Sequence, residues 1–307
     1  MTFIKNNKGS ATLLTMFMAA VIITVGIGFN WLVKEHMKAS EALKIKAESI
    51  LKARSAYYNL IYLLLSGTRT PKGILIQAPV EISELREIPL NGKKISFAKD
   101  ISVQVQDSNG KLSLLSFNQP AIERLIKRVG GVENPAEIID SYLDWIDADP
   151  FSRVNGAEEF YYRGQGVPYV PRNYFIQFKD EFQWIRGMDR GLYDKLEPHL
   201  TILPATAFNP NTAADEVLMA YLNIEKESLK PFRDYLVQNN VNSDSELFAL
   251  TGRRIVSQDE GVYFFPSPFL EITVSVGNPK NIYTIKAGLD TREKTRFPYE
   301  VMYWIEE

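Results

Sequence analysis

The stretch Lys5–Trp31, "KNNKGSATLLTMFMAAVIITVGIGFNW", decides how the chain is organised, because it is apolar over most of its length. No charged residue occurs from Ser10 to Val33, and a helix needs roughly 20 residues to cross the core of a bilayer. A secretory signal has a shorter apolar region, of about 7 to 15 residues, followed by a cleavage site with small residues. The stretch therefore predicts a transmembrane segment at 10–33 that stays in the mature protein.

The apolar segment continues into an amphipathic pattern without a helix breaker. No Pro occurs before Pro71, and no Gly lies between Gly28 and Gly67. Apolar residues recur at steps of three and four, which is typical of a helix with one apolar face: Leu43, Ala47, Ile50, Leu51, Tyr57, Leu60, Ile61 and Leu64. We expect one N-terminal helix over 10–66.

A short basic leader that ends in Gly resembles the N-terminus of type IV pilins and pseudopilins, where a prepilin peptidase cuts after that Gly. Here the resemblance implies a leader at 1–9 and a cut between Gly9 and Ser10. An ordinary single-pass anchor with a chance Gly is the alternative. The fifth mature residue is then Leu14, where most of these relatives carry a Glu that meets the amine of a neighbouring subunit. An unpaired charge is costly in hydrocarbon, so a subunit with this Glu needs a neighbouring amine to pair with it. A subunit without the Glu needs no such neighbour ahead of it, which predicts a position at the tip of a fibre.

Composition limits the function classes. The chain has 307 residues, 45% of them hydrophobic, no Cys and a net charge of −2. It can bury one or two ordinary cores, and it shows no bias towards nucleic acid. Without Cys, disulfides and thiol catalysis are excluded.

Two strand-rich blocks enclose a region of helical patterns. Apolar and polar residues alternate on either side of Asn109-Gly110 within 93–117, which predicts a β-hairpin with its turn at that dipeptide. The segment 261–307 predicts three or four further strands rich in Val, Ile, Tyr and Phe. We therefore expect an α+β fold, in which an antiparallel β-sheet domain formed by 67–118 and 258–307 carries a large all-α insertion at 119–257.

The insertion contains a dense group of carboxylates within 20 residues: Asp140, Asp144, Asp147, Asp149, Glu158 and Glu159. Carboxylates brought together repel one another unless a cation neutralises them, and hard oxygen ligands suit calcium. The segment is not an EF-hand, because Ser152 occupies the sixth loop position instead of Gly. The alternative is that the helical Asp residues face solvent and Asp149 caps a turn before Pro150.

Motifs in and after this group resemble the K-type minor pseudopilin family of type II secretion systems. The segments are "LDWIDADPFSRVNGAEEFYY", "VPYVPRN" and "WIRGMDRGLYDKLEPHLTILPATAFNPNTA". The matching positions occur in the family's order over some 70 residues: Asp144, Trp145, Asp147, Asp149, Gly156, Ala157, Glu158, Tyr161, Tyr162, Pro168, Tyr169, Asn173, Arg186, Gly187, Met188, Asp189, Asn209, Asn211 and Thr212. Two positions depart from the family pattern, since Glu159 replaces an Asp and Pro210 replaces an aliphatic residue.

The resemblance implies a non-enzymatic subunit at the tip of the secretion pseudopilus. Its expected partners are the I- and J-type minor pseudopilins, with which it initiates and caps assembly, and the major pseudopilin; secreted cargo and the outer-membrane secretin are further candidate contacts. The chain would be a single-pass protein of the inner membrane with its bulk in the periplasm. The resemblance also implies a structural calcium ion, with Asp147, Asp149 and Glu158 as ligands and Asp144 and Glu159 as further candidates.

Two other classes of protein are alternatives. A periplasmic hydrolase could use Asp147 and Glu158 as general acid and base. A membrane-tethered helix-hairpin-helix module could bind DNA through "FNPNTAADEVLMAYL", but the chain is slightly acidic. Asn209 or Asn211 as the N-cap of a helix at Thr212 is the simpler explanation of that motif.

The leader predicts a specific mature N-terminus. Mass spectrometry of the protein isolated from its native membrane is expected to find a first residue of Ser10, because the peptidase removes 1–9 and leaves the anchor in place. An intact Met1 would contradict the pseudopilin class and leave the ordinary anchor.

Overall fold

The computed structural model describes residues 8–77, 85–255, 264–278, 281–292 and 295–307. Most of the predicted leader and the predicted boundary at 257/258 lie outside the described residues. The chain forms two units, Met1–Lys52 and Ala53–Glu307.

The N-terminal helix, α1, spans Lys8–Ser66. Its apolar residues in the first unit are exposed, Leu14 among them, and the backbone of Gly9 and Ser10 is helical. Among the described residues, one helix is long and apolar enough to cross a membrane, and this is α1. In the second unit α1 buries Ala53, Ala56, Tyr57, Leu60, Ile61, Leu63 and Leu64. The single long helix expected from the lack of Pro before Pro71 and of Gly between Gly28 and Gly67 is thus observed.

The central sheet has five antiparallel strands. Along the chain, β1 (Thr68–Arg69), β2 (Gly73–Leu75) and β3 (Glu87–Pro89) form a small sheet of their own. They are followed by β4 (Ile95–Ala98), β5 (Ile101–Asp107), β6 (Leu112–Ser113), β7 (Leu200–Thr201), β8 (Phe269–Asn278), β9 (Asn281–Asp290) and β10 (Glu300–Glu306). The order in the large sheet is β10-β9-β8-β5-β4. Strand β5 pairs with β8 from Ile101↔Val276 to Asp107↔Leu270, so residues on either side of the insertion share one ladder, and the α+β class is confirmed.

The predicted hairpin turn at Asn109-Gly110 is wrong. The turn between β4 and β5 is at Lys99-Asp100, where Asp100 has φ +59°, whereas Asn109 and Gly110 lie in a buried 3-10 turn. Asn109 uses its side-chain oxygen to accept hydrogen bonds from the backbone of Thr206 and Ala207. A Cβ at Gly110 would lie 2.7 Å from the Thr212 carbonyl oxygen. Asn109 and Gly110 instead contact residues of the insertion, and these contacts outweigh the local preference of the dipeptide for a hairpin turn.

The insertion is mostly helical. Its helices are α2 (Gln119–Leu125), α3 (Ala136–Ile146), α4 (Glu159–Gly164), α5 (Arg190–Leu196), α6 (Asp215–Leu222), α7 (Leu229–Leu236) and α8 (Asp244–Thr251). The prediction of an all-α region is wrong in one detail, because β7 lies within it and pairs in parallel with β6. One hydrophobic core, which includes Ile122, Trp145, Phe182 and Phe232, runs through these helices.

A buried carboxylate ties the insertion to the sheet. Asp107, at the end of β5, is fully buried. Its Oδ1 accepts hydrogen bonds from the Asn109 and Ser267 amides at 3.0 and 2.8 Å. Its Oδ2 accepts from Asn209 Nδ2 at 3.1 Å and from Thr212 Oγ1 at 2.9 Å. One side chain therefore links the strand before the insertion, a loop within it and the segment that enters β8.

Replacing this carboxylate is expected to destabilise the second unit. In Asp107→Asn the amide group brings hydrogens to a position already surrounded by donors, so at least one buried donor loses its acceptor, at a cost of about 2 kcal/mol. The Tm of the detergent-solubilised chain should fall by roughly 4–8 °C. Asp100→Asn is the matched control, since Asp100 is exposed and Asn tolerates positive φ. Equal Tm values for the two variants would contradict the linking role of Asp107.

Candidate functional site: the carboxylate loop of the insertion

The predicted cation-binding residues lie at the end of α3, in the loop after it and at the start of α4. Asp144 lies in α3 and is fully buried, and Glu158, which precedes α4, is 5% exposed. Asp147 follows the last residue of α3 and is half-buried, whereas Asp149 is exposed. The loop therefore holds two buried carboxylates, which need neutralising partners.

Arg153 supplies part of that neutralisation. Its Nη1 donates to Asp144 Oδ1 at 2.6 Å and also forms an ion pair with Asp147. Its backbone amide donates to Asp144 Oδ1 and Oδ2 at 3.2 and 3.1 Å. These carboxylates hold the pKa of Arg153 above its usual value, the Asp147 hydrogen bond contributing most. Sequence reasoning missed this residue, because an Arg in a polar loop carries no distinctive spacing.

Glu158 lies close to the same negative charges. Burial, with the charges of Asp144, Asp147 and Asp149, raises the pKa of Glu158 to about 7. Two buried carboxylate oxygens, Glu158 Oε1 and Asp147 Oδ1, have no hydrogen-bond partner in the described part of the chain. Unpartnered buried oxygens in a negative environment are the chemistry that a hard cation satisfies.

The remaining carboxylates are used locally. Asp149 Oδ1 accepts from the Phe151 amide at 2.9 Å, and Glu159 forms an exposed ion pair with Arg163. Asp140 Oδ2 accepts from the amide and side chain of Asn155 at 3.1 and 2.9 Å. Within the described residues, no group of three or more His, Asp or Glu side chains is arranged to hold a metal ion. The calcium site and its ligands stay a prediction.

Gly156 permits the close approach of the loop to α3. A Cβ on Gly156 would lie 1.9 Å from Asp144 Oδ2. Arg186 Nη1 donates to the Gly156 carbonyl at 3.1 Å, while Arg186 Nε donates to Glu137 Oε1 at 2.6 Å. The guanidinium also lies 4.7 Å from the ring centre of Tyr161. Arg186 therefore holds the loop between α3 and α4.

Other positions of the family motifs also have structural roles. Asn173, with φ +53°, donates its amide to the Trp145 carbonyl at 2.9 Å. Gly187 has φ +83°, where a Cβ would lie 2.9 Å from Ile138 Cγ1. Asp189 caps α5 by accepting from the Leu192 amide at 2.8 Å. These residues shape the loops and perform no chemistry.

A second buried ion pair, also missed from the sequence, closes the next loop. Glu181 is 1% exposed, and both its oxygens accept from Arg172, at 2.7 Å from Nε and 2.8 Å from Nη2. The Gln177 and Phe178 amides also donate to Glu181, and the hydrogen bonds together lower the pKa of Glu181 against the effect of its burial. Glu181 also contacts the buried Trp145, whose indole Nε1 donates to Glu181 Oε2 at 3.4 Å. The ion pair therefore fixes this loop against α3.

The N-cap role expected for Asn209 or Asn211 is wrong. Helix α6 begins at Asp215, and its N-cap position is Ala214. Asn209 donates to Asp107 and to the Pro71 carbonyl, and Asn211 exchanges two hydrogen bonds of 2.8 Å with the backbone of Val241. The two amides bridge segments distant in sequence, which a local capping pattern cannot anticipate.

Similarity to known proteins falls on this region. Residues 102–205 match the family model described as type II secretion system (T2SS), protein K. Type II secretion system protein K of Pectobacterium carotovorum subsp. carotovorum is 32% identical over 34% of this chain and 32% of its own length. The protein of the same name from Aeromonas hydrophila is 28% identical over 49% of this chain and 48% of its own length. The alignments thus span about a third to a half of these relatives.

A solved structure resembles nearly the whole chain. It belongs to the crystal structure of the GspK-GspI-GspJ complex from the type 2 secretion system of enterotoxigenic Escherichia coli. The TM-score is 0.53 at 20% identity, over 90% of this chain and 99% of that one. At this identity the likeness concerns the fold.

The close approach at Gly156 yields a matched pair of substitutions. Gly156→Ala should destabilise the loop by about 1–3 kcal/mol, because the new methyl group displaces the buried Asp144 carboxylate. Gly164→Ala should be neutral or slightly stabilising, since a Cβ there meets nothing within 4 Å and the residue lies in α4. The Tm values of the two variants and limited proteolysis of the loop measure the difference. An unchanged loop in Gly156→Ala would show that the contact is not tight.

Proposed function

We propose that this chain, whose residues 102–205 form a protein K domain of type II secretion systems, acts as a minor pseudopilin at the tip of the secretion pseudopilus. The family resemblance seen in the sequence is confirmed by that match and by the relatives named protein K. Their similarity also supports a non-enzymatic protein, and against that background no observation favours a hydrolase or a DNA-binding module. The match at 102–205 is the single observation that carries the proposal.

The anchor supports a membrane-bound subunit. Helix α1 provides one candidate single-pass span, which fits the inner membrane, and the rest of the chain is proposed to lie in the periplasm. With Leu14 exposed at this position, the span would have no carboxylate to pair with the N-terminal amine of a neighbouring subunit. This supports a position ahead of the repeating subunits of the major pseudopilin.

An exposed apolar surface suits the docking of other pseudopilins. It is formed by the last turns of α1 and the edge strand β10, which touch through the edge-to-face rings of Tyr57 and Trp304. Tyr58 and Tyr62 on the helix and Val301 and Met302 on the strand are exposed. We call these four residues the α1–β10 surface. Its partners are proposed to be the I- and J-type minor pseudopilins, the chains that accompany GspK in the similar structure.

The insertion supports the capping part of the proposal. It follows β5 and returns to β8, and Asp107 binds Asn209 in a loop of the insertion and Ser267 in the segment that leads from it into β8. A bulky domain held in this way on the sheet would obstruct further subunits beyond it. The same exposed domain would be available to secreted cargo or to the outer-membrane secretin.

The docking surface can be tested by co-assembly. The full chain in detergent, mixed with the I- and J-type minor pseudopilins of the same system, should elute as a ternary complex in size-exclusion chromatography. Tyr62→Glu should weaken the complex by at least about tenfold, because a charge is introduced into an apolar contact. Phe160→Glu, at an exposed apolar residue of α4, should leave assembly within about twofold. The tip proposal fails if the wild-type chain binds neither partner.

A structural calcium ion is part of the same proposal. The unpartnered oxygens of Asp147 and Glu158 support a site in the loop, with Asp149, Asp144 and Glu159 as the other candidate ligands. Calcium would there order the loop around Gly156 and take no part in a reaction. Calcium and Arg153 would then together neutralise the carboxylates of Asp144 and Asp147.

Calcium should raise the Tm of the wild-type chain near neutral pH, and Glu158→Gln should abolish most of that rise. Without calcium, the pKa of Glu158 is raised from 4.5 to about 7 in the folded state. The contribution of Glu158 to the stability of the fold is therefore highest below pH 4.5, where Glu158 is protonated, and it falls as the pH rises through about 7 and Glu158 becomes charged. Near pH 8 in a chelator, Glu158→Gln should therefore be more stable than the wild type. Glu159→Gln is the neighbouring control, since Glu159 pairs with Arg163. A Tm unaffected by calcium at every pH would refute the site.

A further inference from the structure

A cationic pocket lies on the insertion, away from the carboxylate loop. Its volume is about 530 Å³. The start of α2 and the C-terminal ends of α6 and α8 form its walls, and the lining includes Asn118, Arg124, Asn223, Phe248, Arg253 and Arg254. The chain turns sharply at two of these walls, since Asn223 and Gly252 have φ values of +51° and +68°.

The pocket has an excess of positive charge. Three Arg residues line it, and no Asp or Glu is among the lining residues. Arg124 donates to the Ala220 and Tyr221 carbonyls, so its charge is held in place without a carboxylate. Burial, followed by the nearby Arg128, lowers the pKa of Arg124, whereas Glu123 opposes that shift. Arg254 forms an ion pair with Asp244, with Nη1 and Oδ2 3.3 Å apart.

Arg253 extends this charge to the pocket mouth. It is exposed, and within the described residues its guanidinium forms no ion pair. A guanidinium offers five donors in a planar fork that matches a carboxylate. Arg253 can therefore receive an acidic side chain, and Arg254 beside it adds positive charge that it shares with Asp244.

The other walls are apolar. Pro120, Leu222 and Phe248 line the pocket, and Phe248 is 47% exposed. The Arg254 guanidinium lies 5.1 Å from the centre of the Phe248 ring, so one face of the pocket combines charge and aromatic surface. A small inorganic anion would leave this apolar lining uncovered, whereas a peptide that carries both acidic and aromatic side chains would cover it.

We propose that this pocket binds an acidic segment with adjacent aromatic side chains from another protein. The Arg residues pair with its carboxylates, and Phe248 with Pro120 contacts its rings. The site is separate from the α1–β10 surface, so the inference goes beyond the pseudopilin assignment. Its test needs neither partner subunit.

Fluorescence anisotropy measures the binding on the full chain in neutral detergent. The probe is a fluorescein-labelled peptide of alternating Phe and Glu, and its counterpart of alternating Phe and Gln reports binding without charge. We expect the Phe-Glu peptide to bind at least about tenfold more tightly, with an affinity that falls as salt rises. Arg253→Gln and Arg254→Gln should each weaken it by about three- to tenfold.

Lys230→Gln is the matched control, because it removes an exposed positive charge of α7 outside the pocket. It should change the affinity by less than about twofold, and all three variants should keep the wild-type Tm. Equal binding of the two peptides, or an equal loss in Lys230→Gln, would overturn the proposal. So would displacement of the peptide by inorganic phosphate or by phosphatidylglycerol vesicles at equal anion concentration, since the pocket would then recognise any anion.

Discussion

The buried carboxylate of Asp107 is the contact on which the second unit depends. A charge removed from water is tolerated only where donors replace the solvent, and here the donors come from Asn109, Asn209, Thr212 and Ser267. Asn109 is a local donor, but Asn209, Thr212 and Ser267 are more than 100 residues from Asp107 in sequence, and they reach it only when the insertion has closed back onto the sheet. The hydrogen bonds of Asp107 therefore couple the folding of the insertion to the pairing of β5 with β8.

The carboxylate loop acquires its geometry from contacts within the insertion. The helices of the insertion pack on one core, and the loop between α3 and α4 is held by Arg153 from within and by Arg186 from outside. Because Gly156 has no Cβ, the loop can approach Asp144 of α3 closely. Among the described residues of this loop, the buried side-chain oxygens without a hydrogen-bond partner are Asp147 Oδ1 and Glu158 Oε1. Arg153 therefore balances only part of the negative charge in the loop, and a bound cation would neutralise more of it.

Helices and strands with an extended periodic pattern could be predicted from the sequence. Contacts between residues distant in sequence could not. The absence of Pro before Pro71 and of Gly between Gly28 and Gly67, with apolar residues at steps of three and four, was enough to predict α1. Alternating apolar and polar residues were enough to predict the main strands. Strands of two or three residues, such as β1 and β6, are too short to show alternation. Asn109-Gly110 has the composition of a hairpin turn, but its buried hydrogen bonds to the insertion decide its structure. Arg153 was missed for the same reason, because its carboxylate partners are set by how the loop folds.

If the insertion caps a pseudopilus as proposed, the sheet must hold it rigidly, so we expect the insertion and the sheet to unfold as one cooperative body. Hydrogen–deuterium exchange of the full chain, followed by mass spectrometry at increasing denaturant, tests this directly. The account predicts that amides of β5, of the loop 207–212 and of β8 lose protection together. Loss of protection throughout the insertion, while β5 and β8 stay protected, would contradict it.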